Sequence, residues 1–341
     1  MTNAHATEVE VTDGLRWSAL DAGCTGAWSE LTNLLAVVER TEEFYSAEDL
    51  AEELAEPGFD PAADSWAVWD GAALVAFGQL RLADELLEGR WCQLYLDGGV
   101  HPDWRGRGIG RRLMDRMERR ARELAAARHP GAPIRMRASG RLDGDPVRPL
   151  LARRGYRIAR YFTDMERALP GAPLGPVDAR VRRYTESLEE RVRLAHNDAF
   201  ATHWGSTAQT PQAWRDRLGS RAFRPHASVV WLAGGGAGDD DSEPGGDGGE
   251  VLAYVLAYQW VDGELYIGQV GTRQRARGRG LARACLVGSL HAAIASGRYR
   301  KVELSVDSEN PTGAGALYES VGFVASRAVA SYVRDEDSPA I

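Results

Sequence analysis

Gly271-Thr272-Arg273-Gln274-Arg275-Ala276-Arg277-Gly278-Arg279-Gly280-Leu281-Ala282 decides how this chain is read. The stretch follows an apolar, strand-like run (264–270) and opens a helical one (281–296). A strand that breaks into a glycine-rich arginine loop and then a helix is a device for holding phosphates. Glycines let the backbone approach the ligand, N–H groups of the loop and first turn point at it, and the helix dipole adds attraction. A near copy, Val100-His101-Pro102-Asp103-Trp104-Arg105-Gly106-Arg107-Gly108-Ile109-Gly110, lies roughly half the chain earlier in the same strand–loop–helix setting. Neither copy has the Gly-x-x-x-x-Gly-Lys spacing of a nucleoside triphosphate loop, and neither completes the Gly-x-Gly-x-x-Gly dinucleotide pattern.

With 341 residues the chain suits two domains, each able to bury its own core. Apolar residues make up 44% and charged residues 26%, as in ordinary globular proteins. A net charge of −8 argues against general nucleic-acid binding, which needs a basic face. Positive charge is gathered instead at the two loops. Cys24, Cys92 and Cys285 are scattered and odd in number, so neither a disulfide framework nor a metal site is expected. No stretch approaches the ~20 apolar residues of a membrane span, and the polar first residues lack a signal-peptide core. A cytoplasmic protein with no membrane or nucleic-acid partner is expected.

Taken in order, the N-terminal dozen residues should be loose and 15–38 reads as mixed helix. Ser46 to Asp49 resembles a capped helix start. Asp70-Gly71 joins two strands (66–69 and 73–82) as a hairpin. A strand into the first loop, a helix (110–128), a strand (134–138), a short helix (149–154) and a strand (156–167) complete the first half. Three prolines between 169 and 176 mark a linker. Helices (188–200, 212–218), a hairpin, a strand into the second loop, a helix, a strand (302–306), a short helix (314–320) and a last strand then repeat the order. The Gly/Asp-rich 234–250 interrupts the hairpin as a disordered insertion without chemistry of its own. The division expected is 1–168, a linker 169–178, and 179–341.

These motifs resemble the GNAT superfamily of acyl-CoA-dependent N-acetyltransferases, whose pyrophosphate loop reads Arg/Gln-x-x-Gly-x-Gly/Ala. Arg105, Gly108 and Gly110 match it, as do Arg277, Gly280 and Ala282. The resemblance implies an α/β fold of two GNAT-like domains in tandem, each a mixed sheet flanked by helices with a splayed parallel strand pair. It implies acetyl-CoA as donor, with the pyrophosphate wrapped by Arg277, Gly278, Arg279, Gly280, Leu281 and Ala282. In the first half Arg105, Gly106, Arg107, Gly108, Ile109 and Gly110 take the same places. Val270, Gly271 and Thr272 would adjoin the splay that holds the thioester. Leu317-Tyr318-Glu319-Ser320-Val321-Gly322-Phe323 matches the family segment whose tyrosine protonates the departing sulfur, so Tyr318 is the expected general acid. Asn310 falls near a usual cofactor contact, with one extra residue before Tyr318.

The base is harder to place. Many members carry a glutamate eleven residues before the loop's first Arg/Gln. Tyr266 stands there, and Glu264, on the same strand face two residues back, is the expected substitute; Asp262 is a weaker one. The first half has Leu151 for Tyr318 and Cys92 for Glu264, so chemistry is expected in the second half. His203 and Trp204, with Trp214, are acceptor-pocket candidates. Segment 199–205 resembles two-domain members that acetylate the cysteinyl amine of a thiol pseudo-disaccharide. A small-molecule primary amine is the expected acceptor, without metal; the sequence leaves the oligomeric state open, with two such domains in one chain compatible with a monomer. The alternatives are a non-catalytic acyl-CoA sensor or scaffold, and a protein or peptide N-acetyltransferase.

Overall fold

The strand ending each half of the chain pairs in the sheet of the other half. The computed structural model describes residues 10–41, 43–141, 145–234, 249–309 and 313–337. The first half runs β1 (Glu10–Thr12), β2 (Leu15–Ser18), α1 (Thr25–Glu39), α2 (Ala47–Leu54), α3 (Pro61–Asp64), β3 (Ser65–Asp70), β4 (Ala73–Leu82), β5 (Cys92–Val100), α4 (Ile109–Arg128), β6 (Ile134–Arg141), α5 (Val147–Arg153) and β7 (Arg157–Ala168). The second runs β8 (Val181–Arg183), α6 (Glu189–Phe200), α7 (Pro211–Gly219), β9 (Val229–Ala233), β10 (Glu250–Tyr258), β11 (Glu264–Thr272), α8 (Leu281–Ser296), β12 (Lys301–Asp307), α9 (Ala314–Glu319) and β13 (Val324–Glu336).

One compact unit is the chain up to Tyr161 together with the chain from Val329 on; the other is Phe162–Ala328. In the first, the strand order is β1-β2-β3-β4-β5-β6-β13, and β13 pairs antiparallel with β6 from Val329↔Arg141 to Glu336↔Ile134. In the second the order is β7-β12-β11-β10-β9-β8, and β7 pairs with all of β12, from Lys301↔Ala168 to Asp307↔Phe162. The division therefore falls inside β7 and not at the proline-rich stretch. Residues 15–18 form β2 and only Thr25–Glu39 is helical, because Trp17 alternates inward against Val68 of β3. Residues 10–12 pair as β1. Most of the Gly/Asp-rich insertion (235–248) lies outside the described residues.

β5–β6 and β11–β12 run parallel, each pair joined by a helix that crosses one face of its sheet. On α4, Ile109, Leu113, Met117, Ala121 and Leu124 recur at helical spacing and pack on Leu94, Leu96 and Met136. On α8, Leu281, Cys285, Leu286, Leu290 and Ala293 pack on Leu265, Ile267, Val302 and Leu304. Burying one such side chain contributes about 1.5–3 kcal/mol. This anchors the start of each helix against the end of the strand before it.

Candidate active site

Both glycine-rich loops adopt one conformation. Arg105 (φ −66°, ψ 158°) and Arg277 (φ −65°, ψ 158°) are extended. Gly106 and Gly278 follow at φ +76° and +73°, and Gly108 and Gly280 at +82° and +77°. Only glycine takes those angles without strain, which explains the spacing. Gly108 and Gly280 are the N-caps of α4 and α8, and neither helix has a capping side chain or an acidic residue in its first turn. The first-turn N–H groups and the positive helix end are left for an anion. A Cβ at Gly278 or Gly280 would meet nothing within 4 Å, so space lies open above the backbone.

The arginines divide their work. Arg277 Nη2 donates to the carbonyl of Ala199 at the end of α6 (2.7 Å), and Gln274 donates to that of Asp198 (3.2 Å). Arg273 pairs with Glu250 (3.2 Å), and Arg275 pairs with the same carboxylate. In the first unit Arg105 donates to the Val100 carbonyl (3.0 Å) and pairs with Glu39. Arg107 donates to the Asp103 carbonyl. Arg277 and Arg105 thus shape their loops from beneath. Exposed Arg279 makes no hydrogen bond or ion pair among the described residues. Leu281 and Ile109 point into the cores, while Ala282 and Gly110 keep the first turn slim. These groups fit a pyrophosphate held chiefly by backbone N–H.

The two units differ at the strand that feeds the loop. In the first, β5 pairs continuously with β4, and its parallel pairing with β6 runs from Cys92 to Leu96. In the second, β11–β12 pairing ends at Tyr266↔Glu303, leaving 267–272 outside that ladder. On its other edge Gln269 opposes Leu256 and Ile267 opposes Ala257, so Gly268 is an extra residue, a β-bulge. The bulge turns Gln269 toward the α6–α7 side, where Tyr258 donates to its Oε1 (3.0 Å), and Val270 toward the α8 side. Gly268 and Gly271 are obligatory for packing. A Cβ would lie 2.6 Å from the Tyr258 ring or 2.3 Å from the Tyr254 ring. Tyr258 stacks on half-exposed Trp260 (5.5 Å between centroids), which meets Tyr266 edge-on (5.7 Å).

Tyr318 sits on α9, buried in the α8-side core with its ring edge toward Phe323 (6.1 Å). Burial pushes its phenol up to about 12, so it stays protonated at neutral pH. Its hydroxyl makes no hydrogen bond with any described residue. Leu151 of α5 is fully buried. Asn310 lies outside the described residues.

Glu264 is placed differently from the expected base. It opens β11 opposite Lys301, buried, hydrogen-bonded by Arg300 and ion-paired with Lys301 Nζ (3.1 Å). Burial pulls the Lys301 ammonium down, but hydrogen bonds from it to Glu303 and Glu264 prevail and raise it. Two cations therefore tie Glu264 into the closed end of the strand pair. Trp214 is fully buried, against His196 (4.8 Å). His203 and Trp204 are half-buried in the turn after α6; His203 Nδ1 lies 3.0 Å from the Trp204 carbonyl and 3.2 Å from Ser206 Oγ. The bonds from Arg277 and Gln274 bring that turn beside the phosphate loop. Sequence reasoning missed Gly268 and the packing of Tyr258 and Trp260 on Tyr266; a lone glycine inside a strand was the signal for the bulge.

The Acetyltransferase (GNAT) family model matches residues 28–155 and 193–323, and the chain belongs to that family. It is an N-acetyltransferase built of two such regions in tandem. Among its relatives, the mycothiol acetyltransferase of Tsukamurella paurometabola is 31% identical over 238 residues, covering 66% of this chain and 72% of that one. The mycothiol acetyltransferase of Thermobispora bispora is 30% identical over 264 residues, covering 75% and 78%. The fold is that of a GCN5-related N-acetyltransferase from Sphaerobacter thermophilus (TM-score 0.73, 21% identity, 97% of this chain and 98% of that one). It is also that of a tandem GNAT protein from the clavulanic acid pathway (TM-score 0.68, 20% identity, 96% and 100%). Among the described residues no helix is long and apolar enough to cross a membrane, and no three His, Cys, Asp or Glu are grouped to hold a metal ion.

Proposed function

We propose that this N-acetyltransferase moves an acetyl group from acetyl-CoA to a primary amine of a small molecule, with the chemistry in the second unit. The observation that carries the assignment is Tyr318, a protonated phenol on α9, where the first unit has the apolar Leu151. The opened strand with its bulge supports the same choice. Backbone N–H groups around Val270 and Gly271, freed from the β12 ladder, are available to a thioester carbonyl and to the oxyanion formed on attack. Gly278 to Ala282 receive the pyrophosphate, and Tyr318 gives its proton to the departing thiolate. Glu264 is left out of the reaction, because Arg300 and Lys301 hold it. The small-molecule acceptor rests on the likeness to mycothiol acetyltransferases, and the acyl-CoA donor on the matched loops.

A second reading, a non-catalytic acyl-CoA-binding protein, is favoured by Tyr266 at the usual base position. Release of CoA from acetyl-CoA in the presence of glucosamine, an aminoglycoside, cysteine ethyl ester and a short peptide separates the two. Release stimulated by an amine and abolished by N-acetyl capping of it is expected. Calorimetric acetyl-CoA binding with no stimulated release by any amine would replace the enzyme with the sensor.

A further inference from the structure

Two strands bring one carboxylate to the mouth of the opened strand pair. On β12, Val302, Leu304 and Val306 face α8, so Lys301, Glu303, Ser305 and Asp307 face the opposite side. On β11, Leu265 and Ile267 face α8, so Tyr266 shares the side of Glu303. The two are direct partners in the parallel ladder and form its last rung. Beyond them the strands part. Glu303 therefore stands beside Tyr266, at the floor of the gap where the thioester and the incoming amine would meet. Partnered residues of a parallel pair on one face are about 5 Å apart, within reach of a glutamate side chain.

We propose that Glu303 is the general base of the second unit, supplied by β12 in place of a glutamate on β11. The inference rests on the acetyl-transfer reading above. Glu303 is half-buried, and Lys301 Nζ donates to its Oε1 (2.7 Å). The charged and titratable groups on its face include Lys301 and Asp307 on its own strand, Tyr266 and Glu264 on β11, and Glu166 on β7 directly opposite. Glu264 takes both Arg300 and Lys301 and lies two residues behind the last rung, whereas Glu303 shares Lys301 and stands on the rung itself; Asp307 lies farther along β12 on the same face, where it accepts from the Glu309 N–H (2.9 Å).

The proton balance closes within the site. The ammonium of the acceptor gives one proton to Glu303, and the free amine attacks the carbonyl carbon. The N–C bond forms and the C–S bond breaks, and the thiolate takes the proton of Tyr318. The second proton lost by the nitrogen restores the phenol, and Glu303 returns its proton to solvent. The net change is acetyl-CoA plus ammonium to amide, CoA thiol and one proton.

The test compares the full-length parent, Glu303→Gln and Glu303→Asp with an amine that the parent acetylates, over pH 6 to 10. For the parent, kcat/KM should be level between the titration of the carboxylate and that of the amine. Glu303→Gln should lose about 10²-fold at pH 7, within the range of a positioned base. Its profile should then rise tenfold per pH unit as the amine deprotonates unaided, and acetyl-CoA affinity by calorimetry should match the parent. Glu303→Asp, which keeps the carboxylate, should recover part of the rate and the level profile. A Glu303→Gln rate within threefold of the parent at pH 7, or an equal loss at every pH, overturns the assignment and leaves the acetyltransferase reading standing. A parent that acetylates no amine while binding acetyl-CoA removes that reading and this one with it.

Discussion

Replacing Gly271 by alanine should destabilise the second unit through one identifiable collision. Gly271 pairs directly with Tyr254 across β10 and β11. The new Cβ would lie 2.3 Å from Cε1 and 2.6 Å from Cζ of a ring that is fully buried. Overpacking of that kind costs about 1–3 kcal/mol. The ring cannot yield freely, because its hydroxyl lies 2.6 Å from Nδ1 of buried His196, and losing a buried hydrogen bond costs about 1–3 kcal/mol. Together they come to about 3 kcal/mol, or about 6–12 °C in Tm for a unit of this size. Differential scanning calorimetry of Gly271→Ala would read it. Gly278→Ala is the control: it has the same lack of a Cβ and a positive φ but open space, and should cost only about 1 kcal/mol of strain. Adding Tyr254→Leu to Gly271→Ala should cost less than the sum of the two single changes. A Gly271→Ala Tm within about 2 °C of the parent would refute the reasoning.

Three further outcomes are expected. Gly280→Val places a β-branched residue at φ +77° over the pyrophosphate position, so the folded variant should lose acetyl-CoA binding in the second unit; unchanged calorimetric affinity and stoichiometry would contradict this. Burial, then Arg217 and His203, depress His196 to about 3, and the Tyr254 hydroxyl lies 2.6 Å from its Nδ1. Below pH 6.5 the unfolded chain binds a proton that the folded chain refuses, so this site should remove about 2 kcal/mol of stability between pH 7 and pH 5. Urea midpoints of the parent and His196→Phe would expose the difference, and an NMR titration of His196 near 6.5 would contradict it. Burial pushes the Cys92 thiol up to about 11 and raises Cys24 and Cys285, so none should react with a thiol reagent at pH 8 in the folded protein.

The loops were legible because glycine spacing and backbone angle are one constraint: only glycine fits positive φ, so both loops carry it two residues apart. The helix starts followed from the same residues. The partners of β7 and β13 were not legible, since alternation in 157–168 announces a strand but says nothing of which edge receives it. Glu264 looked available in sequence because its neutralising cations, Arg300 and Lys301, arrive from the far end of a crossover. Trp214 looked like pocket lining, and tertiary packing against His196 put it in the core. The bulge at Gly268 needs the register of β10, and Glu303 needs that of β12. Neither is local information.

Tyr318→Phe tests the central claim most directly. The change keeps the ring that packs on Phe323 and removes a hydroxyl that no described residue uses. On an amine that the parent acetylates, kcat should fall about 10²–10⁴-fold, the range of a positioned proton donor. Acetyl-CoA affinity should change little, because the hydroxyl meets the sulfur as the thiolate forms. A variant that binds acetyl-CoA as the parent does and retains most of its kcat would contradict the account, and leave Tyr318 as a packing residue of α9.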